Sequence, residues 1–213
     1  VRIRLSSMEP DHIDDRLLDV LTDKRMQPHF HIPVQTGSDR LLKKVDRHYT
    51  IAELANILDR LRKAKSDPFL AADIITGLPG ERDEDFAATR QFILDQQFSF
   101  LHVFPFSPRP DTPLYRAQDQ VPESVRDERA LDLRTLSEQL HHSYRQRQVG
   151  SAAEVILQNR KGGRWYGLSG NYLDVAVLSP PVFAREGMLI KGTFGRMIGK
   201  EKRMEFIPDA TTL

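Results

Sequence analysis

The chain contains no cysteine. Disulfides, thiolate nucleophiles, zinc-cysteine sites and cysteine-held iron-sulfur clusters are therefore excluded within it. Long apolar runs are missing too. No stretch approaches the ~18 residues of a bilayer-crossing helix, and Val1 to Ser7 carries Arg2 and Arg4 where a signal peptide would be apolar. Membrane and secreted readings fall away, leaving a cytoplasmic protein as the expectation. Charge of one sign is scarce, with 31 Lys+Arg against 30 Asp+Glu. There is no Gly-x-Gly-x-x-Gly, no phosphate-loop lysine motif and no serine elbow, so ordinary dehydrogenases and nucleotide hydrolases lose ground.

What is present suits one or two globular domains: 213 residues, 39% hydrophobic and 29% charged. From Val1 to about residue 149, short apolar runs alternate with amphipathic stretches, the pattern of a parallel sheet wound with helices. Four strands are expected: Val1–Leu5, His29–Val34, Leu70–Thr76 and Phe100–Phe106. Between them the spacing predicts a helix with Ile13, Leu17, Val20 and Leu21 inward, and a short one that Ser38 can cap, burying Leu41, Leu42 and Val45. Thr50-Ile51-Ala52-Glu53 is a capping box opening a helix that buries Leu54, Ile57, Leu58 and Leu61. Another helix presents Phe86, Thr89, Ile93 and Gln97, and a long one runs from Pro122 to about Val149.

After Gly150 the period shortens. Strands near Glu154–Gln158, Tyr172–Leu178, Met188–Phe194 and Met204–Ile207, punctuated by glycine and proline turns, predict a small barrel. The expected organisation is thus α/β over 1–149 and all-β over 150–213. The tail carries 9 basic and 6 acidic residues against 22 and 24 in the body, which makes it the better place to look for nucleic acid.

In parallel α/β sheets, ligands bind at the carboxyl ends of the strands. Those ends lead into Ser6-Ser7-Met8-Glu9, Gln35-Thr36-Gly37-Ser38, Gly77-Leu78-Pro79-Gly80-Glu81 and Ser107-Pro108-Arg109-Pro110-Asp111. Hydroxyls, an amide and carboxylates on one rim suit a ribose, an amino-acid head group or a heterocycle, and glycines allow a ligand close to backbone. Asp73 lies in an apolar strand and needs a partner, either a ligand or a structural hydrogen bond. Arg2 and Arg4 imply either exposure or a polar sheet face. The histidines give no metal signal, since His29 and His31 share a strand face, His141 and His142 adjoin on a helix, and neither pair has a third ligand nearby in sequence. In the tail, Lys161, Arg164, Trp165 and Tyr166, with Tyr172, Lys191, Arg196, Lys200, Lys202 and Arg203, interleave aromatics with cations, as single-stranded or loop RNA requires. A solvated turn beside a core tryptophan is the alternative.

Four segments in order, His31–Ser38 (HIPVQTGS), Arg47–Thr50, Asp73–Glu81 (DIITGLPGE) and Phe104–Pro113, resemble the radical S-adenosylmethionine (SAM) methylthiotransferases. Gly167–Val177 resembles the TRAM domain that ends those enzymes, an OB-like all-β barrel. The segments Arg2–Pro10 and Leu101–Pro105 are most similar to the type that methylthiolates threonylcarbamoyladenosine beside the tRNA anticodon. Asp111 stands where the family usually has glycine, and Thr36 where serine is common.

The resemblance implies the C-terminal part of a partial (β/α) radical SAM barrel, its last four strands, followed by TRAM. It implies two iron-sulfur clusters in the complete enzyme, none of them held by this cysteine-free chain, which should be inactive alone. It makes Ser7, Glu9, Gln35, Thr36 and Asp73 candidates for contacting SAM or its supports, and Lys161, Arg164, Trp165 and Tyr172 candidates for holding a tRNA anticodon stem-loop. No residue here is assigned as catalytic or metal-binding. Two other readings remain: an RNA-binding module without catalysis, and the sister group acting on an aspartate of a ribosomal protein.

Overall fold

The computed structural model describes residues 1–199 and 203–209. The chain divides into two compact units, Val1–His141 and His142–Leu213.

In the first unit β1 (His29–Gln35), β2 (Phe69–Thr76) and β3 (Phe100–Pro105) form a three-stranded parallel sheet in sequence order. Around it run α1 (Asp15–Thr22), α2 (Asp39–Lys44), α3 (Ile51–Ala64), α4 (Asp83–Asp95) and the greater part of α5 (Glu123–Gln148), whose residues from His142 onward belong to the second unit. The period-2 alternation sorts side chains sharply. Phe30, Ile32, Val34, Leu70, Ala72, Ile74, Leu101 and Val103 are buried in one apolar core with Leu54, Leu58, Leu61, Ile93 and Leu133. The intervening residues, His29, His31, Asp73, Phe100 and His102, occupy the opposite face.

The capping box at the head of α3 forms as the sequence predicts. Thr50 N–H donates to Glu53 Oε2 at 2.8 Å and Glu53 N–H to Thr50 Oγ1 at 3.2 Å. Leu54, Ile57, Leu58 and Leu61 are buried beneath it.

Several expectations need correction. Val1–Leu5 is not a strand, and its only pairing among the described residues is a parallel bridge between Ile3 and Met26. That ladder would continue through a bond from His29 N–H, but His29 N–H turns back onto Gln27 O at 2.8 Å, so the pairing stops after one step. Val20 faces solvent at 55% exposure and Ile13, ahead of α1 instead of within it, is buried, because a 3₁₀ turn over Pro10–His12 precedes the helix. Gln97 lies beyond the end of α4 with φ +46°. Ser38 occupies the N-cap position of α2 without capping it, its hydroxyl donating to Asp85 Oδ1 at 2.7 Å. Asp111 adopts φ +66°, the left-handed conformation that a glycine there would favour and that aspartate tolerates better than most residues.

β1 and β2 slip register between Ile32 and Gln35. Pro33 sits in that gap and has no N–H to give the ladder. Its carbonyl is used instead by Tyr49 OH at 2.9 Å and Gln35 Nε2 at 3.3 Å.

The second unit is a closed five-stranded barrel, one strand more than the turns predicted. Its strands are β4 (Ala152–Lys161), β5 (Arg164–Ser169), β6 (Asp174–Val177), β7 (Leu189–Ile198) and β8 (Arg203–Pro208), in the order β4-β5-β6-β8-β7. The added strand, β5, comprises the residues read as a turn-borne patch. Gly162 and Gly163 both take positive φ, 56° and 80°, so Lys161 and Arg164 pair across a two-residue hairpin. Val155, Leu157, Val175, Val177, Ile190, Phe194, Met204 and Phe206 fill the interior. A buried polar cluster joins them: Asn171 Nδ2 donates to Tyr144 Oη and to Gln148 Oε1, both at 3.0 Å, and Ser169 Oγ donates to Asn171 Oδ1 at 2.7 Å.

Candidate functional site

The nine candidate residues fall into three physical groups. Gln35 and Thr36, which close β1, are buried, and their polar atoms turn inward. Thr36 Oγ1 lies 3.1 Å from Thr89 Oγ1 on α4, and Gly37 N–H donates to the same Thr89 oxygen at 2.9 Å. A Cβ on Gly37 would stand 2.5 Å from Thr89 Cα, so this glycine admits the helix α4, where the sequence suggested a ligand. Asp85 completes the junction, binding Ser38 and pairing with Arg40, and accepting from Arg82 N–H at 2.9 Å. Burial pushes the Asp85 carboxyl up, but Arg40, Ser38 and the Arg82 amide outweigh it and hold the group below its ordinary value. The next loop is clamped alike. Glu81 Oε1 accepts from Gly77 N–H at 2.9 Å and from Arg129 Nη1 at 2.6 Å, and Gly77, with φ +71°, has Arg126 against it. Glu9 pairs with Arg47. Gln35, Thr36 and Glu9 thus build the rim.

Ser7 and Asp73 form a second group, joined by a residue that sequence reasoning left out. Ser7 Oγ lies 3.3 Å from His31 Nδ1, and His31 Nε2 lies 2.8 Å from Asp73 Oδ1. The partner that Asp73 required is therefore His31. Ser7 takes φ +45°, and Met8 N–H donates to His31 O at 2.9 Å, which fixes Ser7 over the imidazole. His102 stands opposite Asp73 in register, its ring centroid 5.0 Å from that of His31. Partial desolvation of its otherwise exposed ring and the neighbouring His31 lower the His102 pKa, against an opposing pull from Asp73.

Contacts continue across the same face: Phe100 meets His102 at 4.9 Å and His141 at 5.4 Å, His141 meets Phe69 at 5.8 Å, and Phe69 stacks on His29 at 5.5 Å. Burial, with Arg4 and His31 nearby, lowers His29 to about 4. Arg2 and Arg4 are half-buried, and Arg2 Nε donates to Gln27 Oε1 at 2.8 Å. The sheet face opposite the core is thus polar and aromatic. Phe104, 51% exposed, extends it at the end of β3.

The third group lies on the small barrel. Lys161 and Arg164 are exposed at the β4–β5 hairpin. Alternation along β5 puts Trp165 on the face shared with buried Gly167 and Ser169, and Tyr166 on the other with Arg164, so the predicted cluster splits by side. Arg203 lies over the Tyr166 ring at 4.8 Å. Tyr172 is 49% exposed with φ +65°. Lys200 and Lys202, part of the expected patch, lie outside the described residues.

The sequence profile of the Radical SAM superfamily matches residues 1–93. The threonylcarbamoyladenosine tRNA methylthiotransferase MtaB of Bacillus subtilis is 39% identical over 181 residues, 82% of this chain and 40% of that protein. The MtaB of Treponema pallidum is 34% identical over 178 residues, 84% of this chain and 36% of that protein. The chain thus spans about 40% or less of the length of these curated relatives. Among solved structures, coproporphyrinogen III oxidase (HemN) from Escherichia coli, a radical SAM enzyme, is similar with a TM-score of 0.55 at 16% identity. That match covers 80% of this chain and 45% of the other, a likeness of fold alone.

Proposed function

Because the chain belongs to the radical SAM methylthiotransferase family, in its MtaB-like branch, we propose that it is part of an enzyme adding a methylthio group to carbon 2 of threonylcarbamoyladenosine beside the tRNA anticodon. The 39% identity to a tRNA methylthiotransferase over 82% of the chain carries this reading. Residues 1–149 supply the C-terminal part of the radical SAM barrel, and 150–213 supply a TRAM module that holds RNA.

The residues present do not fit an iron-sulfur cluster, since there is no cysteine to ligate one. By itself the chain is expected to form no methylthio product. They do fit SAM: opposite the apolar core, the middle of the sheet presents the imidazoles and carboxylate of His31, Asp73 and His102, with the Ser7 hydroxyl brought over them by the preceding loop. SAM supplies the methyl group and the radical source of this chemistry. The protein's own part is to bind and orient. Ser7 and Asp73 offer a hydroxyl and a carboxylate to SAM's polar groups, with His31 locking both. Phe104 gives an adenine a flat surface to stack on. Glu9, Gln35 and Thr36 hold the rim still by their bonds to Arg47, Pro33 and Thr89.

On the small barrel, Lys161 and Arg164 neutralise phosphates while exposed Tyr172, and the part of the Trp165 ring left open beside the hairpin, stack on unpaired bases. The test is fluorescence anisotropy with a labelled anticodon stem-loop. Binding is expected to weaken as salt rises, and Arg164→Ala is expected to lower the salt slope by about 1. Absence of binding even at low salt, or equal binding of an unrelated duplex with no effect of Arg164→Ala, overturns the RNA reading.

A further inference from the structure

We propose that His31, Asp73 and His102 form a binding site for a late first-row divalent cation of the zinc class. One ligand atom from each lies within 4.8 Å of the other two. The placement follows from the sheet. Asp73 and His102 are direct register partners on β2 and β3, and His31 pairs with Ala71, one same-face step before Asp73. Adjacent parallel strands stand about 4.8 Å apart, so three same-face side chains converge with no backbone adjustment.

The donor set specifies the class. Two imidazole nitrogens and one carboxylate oxygen suit zinc, cobalt or nickel better than magnesium or calcium, which prefer all-oxygen shells. Three protein ligands leave a coordination position for water or another ligand.

Each group has the capacity required. His102 makes ring contacts with His31 and Phe100 but no hydrogen bond among the described residues, so a nitrogen lone pair is uncommitted. Asp73 spends Oδ1 on His31 and keeps Oδ2. His31 already turns Nε2 toward Asp73 because Ser7 Oγ sits at Nδ1, the outer hydrogen bond that orients metal-ligating histidines. His102 is exposed and His31 and Asp73 are half-buried, which gives a cation a path in. On binding, the proton between His31 Nε2 and Asp73 Oδ1 is displaced to solvent and both atoms turn their lone pairs to the ion. The site shares Asp73 and His31 with the SAM contacts proposed above, so a bound cation and SAM compete for the Asp73 carboxylate, while the cation reading itself rests on these side chains and not on the tRNA reading.

The experiment is titration of the purified 213-residue chain with Zn²⁺ by calorimetry and with Co²⁺ by visible absorption. One equivalent is expected to bind, with Co²⁺ developing the intense d–d bands of a low-coordinate nitrogen and oxygen site, and Mg²⁺ giving no competition. His102→Ala and Asp73→Asn are each expected to weaken Zn²⁺ at least about tenfold and to abolish the Co²⁺ bands. His141→Ala and His142→Ala are expected to leave both unchanged. Ellipticity checks folding, and exposed His102→Gln serves as the second variant should Asp73→Asn unfold. Affinity unchanged in His102→Ala, equal loss in His142→Ala, or no stoichiometric binding at all overturns the proposal.

Discussion

In the first unit three parallel strands lie side by side and present two unlike faces, one apolar and covered by helices, the other lined with histidine, aspartate and phenylalanine. In the second, five strands close on themselves, so the inner face is core and polar recognition is left to the hairpins and the outside. Closure removes free strand edges and uses up the interior. An open sheet keeps a face in hand, and the cluster of Ser7, His31, Asp73 and His102 occupies it.

Shaving the covered face breaks the contrast most severely. Ile32→Ala, at a fully buried position, is expected to cost about 2–5 kcal/mol, read as a lower urea midpoint of helical ellipticity. A loss well below about 1 kcal/mol would mean that the two faces of β1 are not energetically distinct.

The opposite face is tested by pH. His29 is buried with its pKa lowered to about 4 by burial, then by Arg4 and His31, below the ordinary 6.5. Its neutral form is favoured by folding, so this contribution is complete above about pH 6.5 and is lost as pH falls toward 4. The loss is up to about 3 kcal/mol. Urea midpoints across that window should fall in the wild type and flatten in His29→Gln; equal slopes would mean that His29 does not govern the acid side of stability.

A smaller effect belongs to the closed barrel, where polar groups are buried in a satisfied network. Asn171→Ala is expected to cost about 1–3 kcal/mol by orphaning Ser169, Tyr144 and Gln148. Trp165, the chain's single tryptophan, reports it by fluorescence. No change there would make this cluster dispensable and the barrel's core purely apolar. The smallest expected effect is local: Thr50→Ala removes half of the α3 capping box and should lower the ellipticity midpoint by about 1 kcal/mol of stability.

Local chemistry was the legible part of the sequence. The Thr50 and Glu53 spacing, the buried stripe of α3, the run of α5 and the glycine pair at the β4–β5 hairpin are each specified within a few residues. Asp73 announced that it needed a partner. Its identity was hidden, because His31 is 42 residues away and meets it only through strand register. His102 was hidden for the same reason. The loop Gln35–Ser38 hid its partners as well. Its polar composition reads as a ligand rim, but Thr89 and Asp85, far along the chain, take up its hydroxyls. Val1–Leu5 shows how period alone fails: alternation marks a segment able to pair, while the single amide of His29 decides that it does not.

The order of strands in the small barrel also has a consequence in time. β8 is the seam, parallel to β6 on one side and antiparallel to β7 on the other, with Val175 meeting Met204 and Phe194 meeting Phe206. During synthesis β4 to β7 emerge first and can do no more than form an incomplete sheet with two raw edges. The barrel can shut only after Arg203–Pro208 has left the ribosome, so a nascent chain passes through an aggregation-exposed interval whose length is set by translation speed.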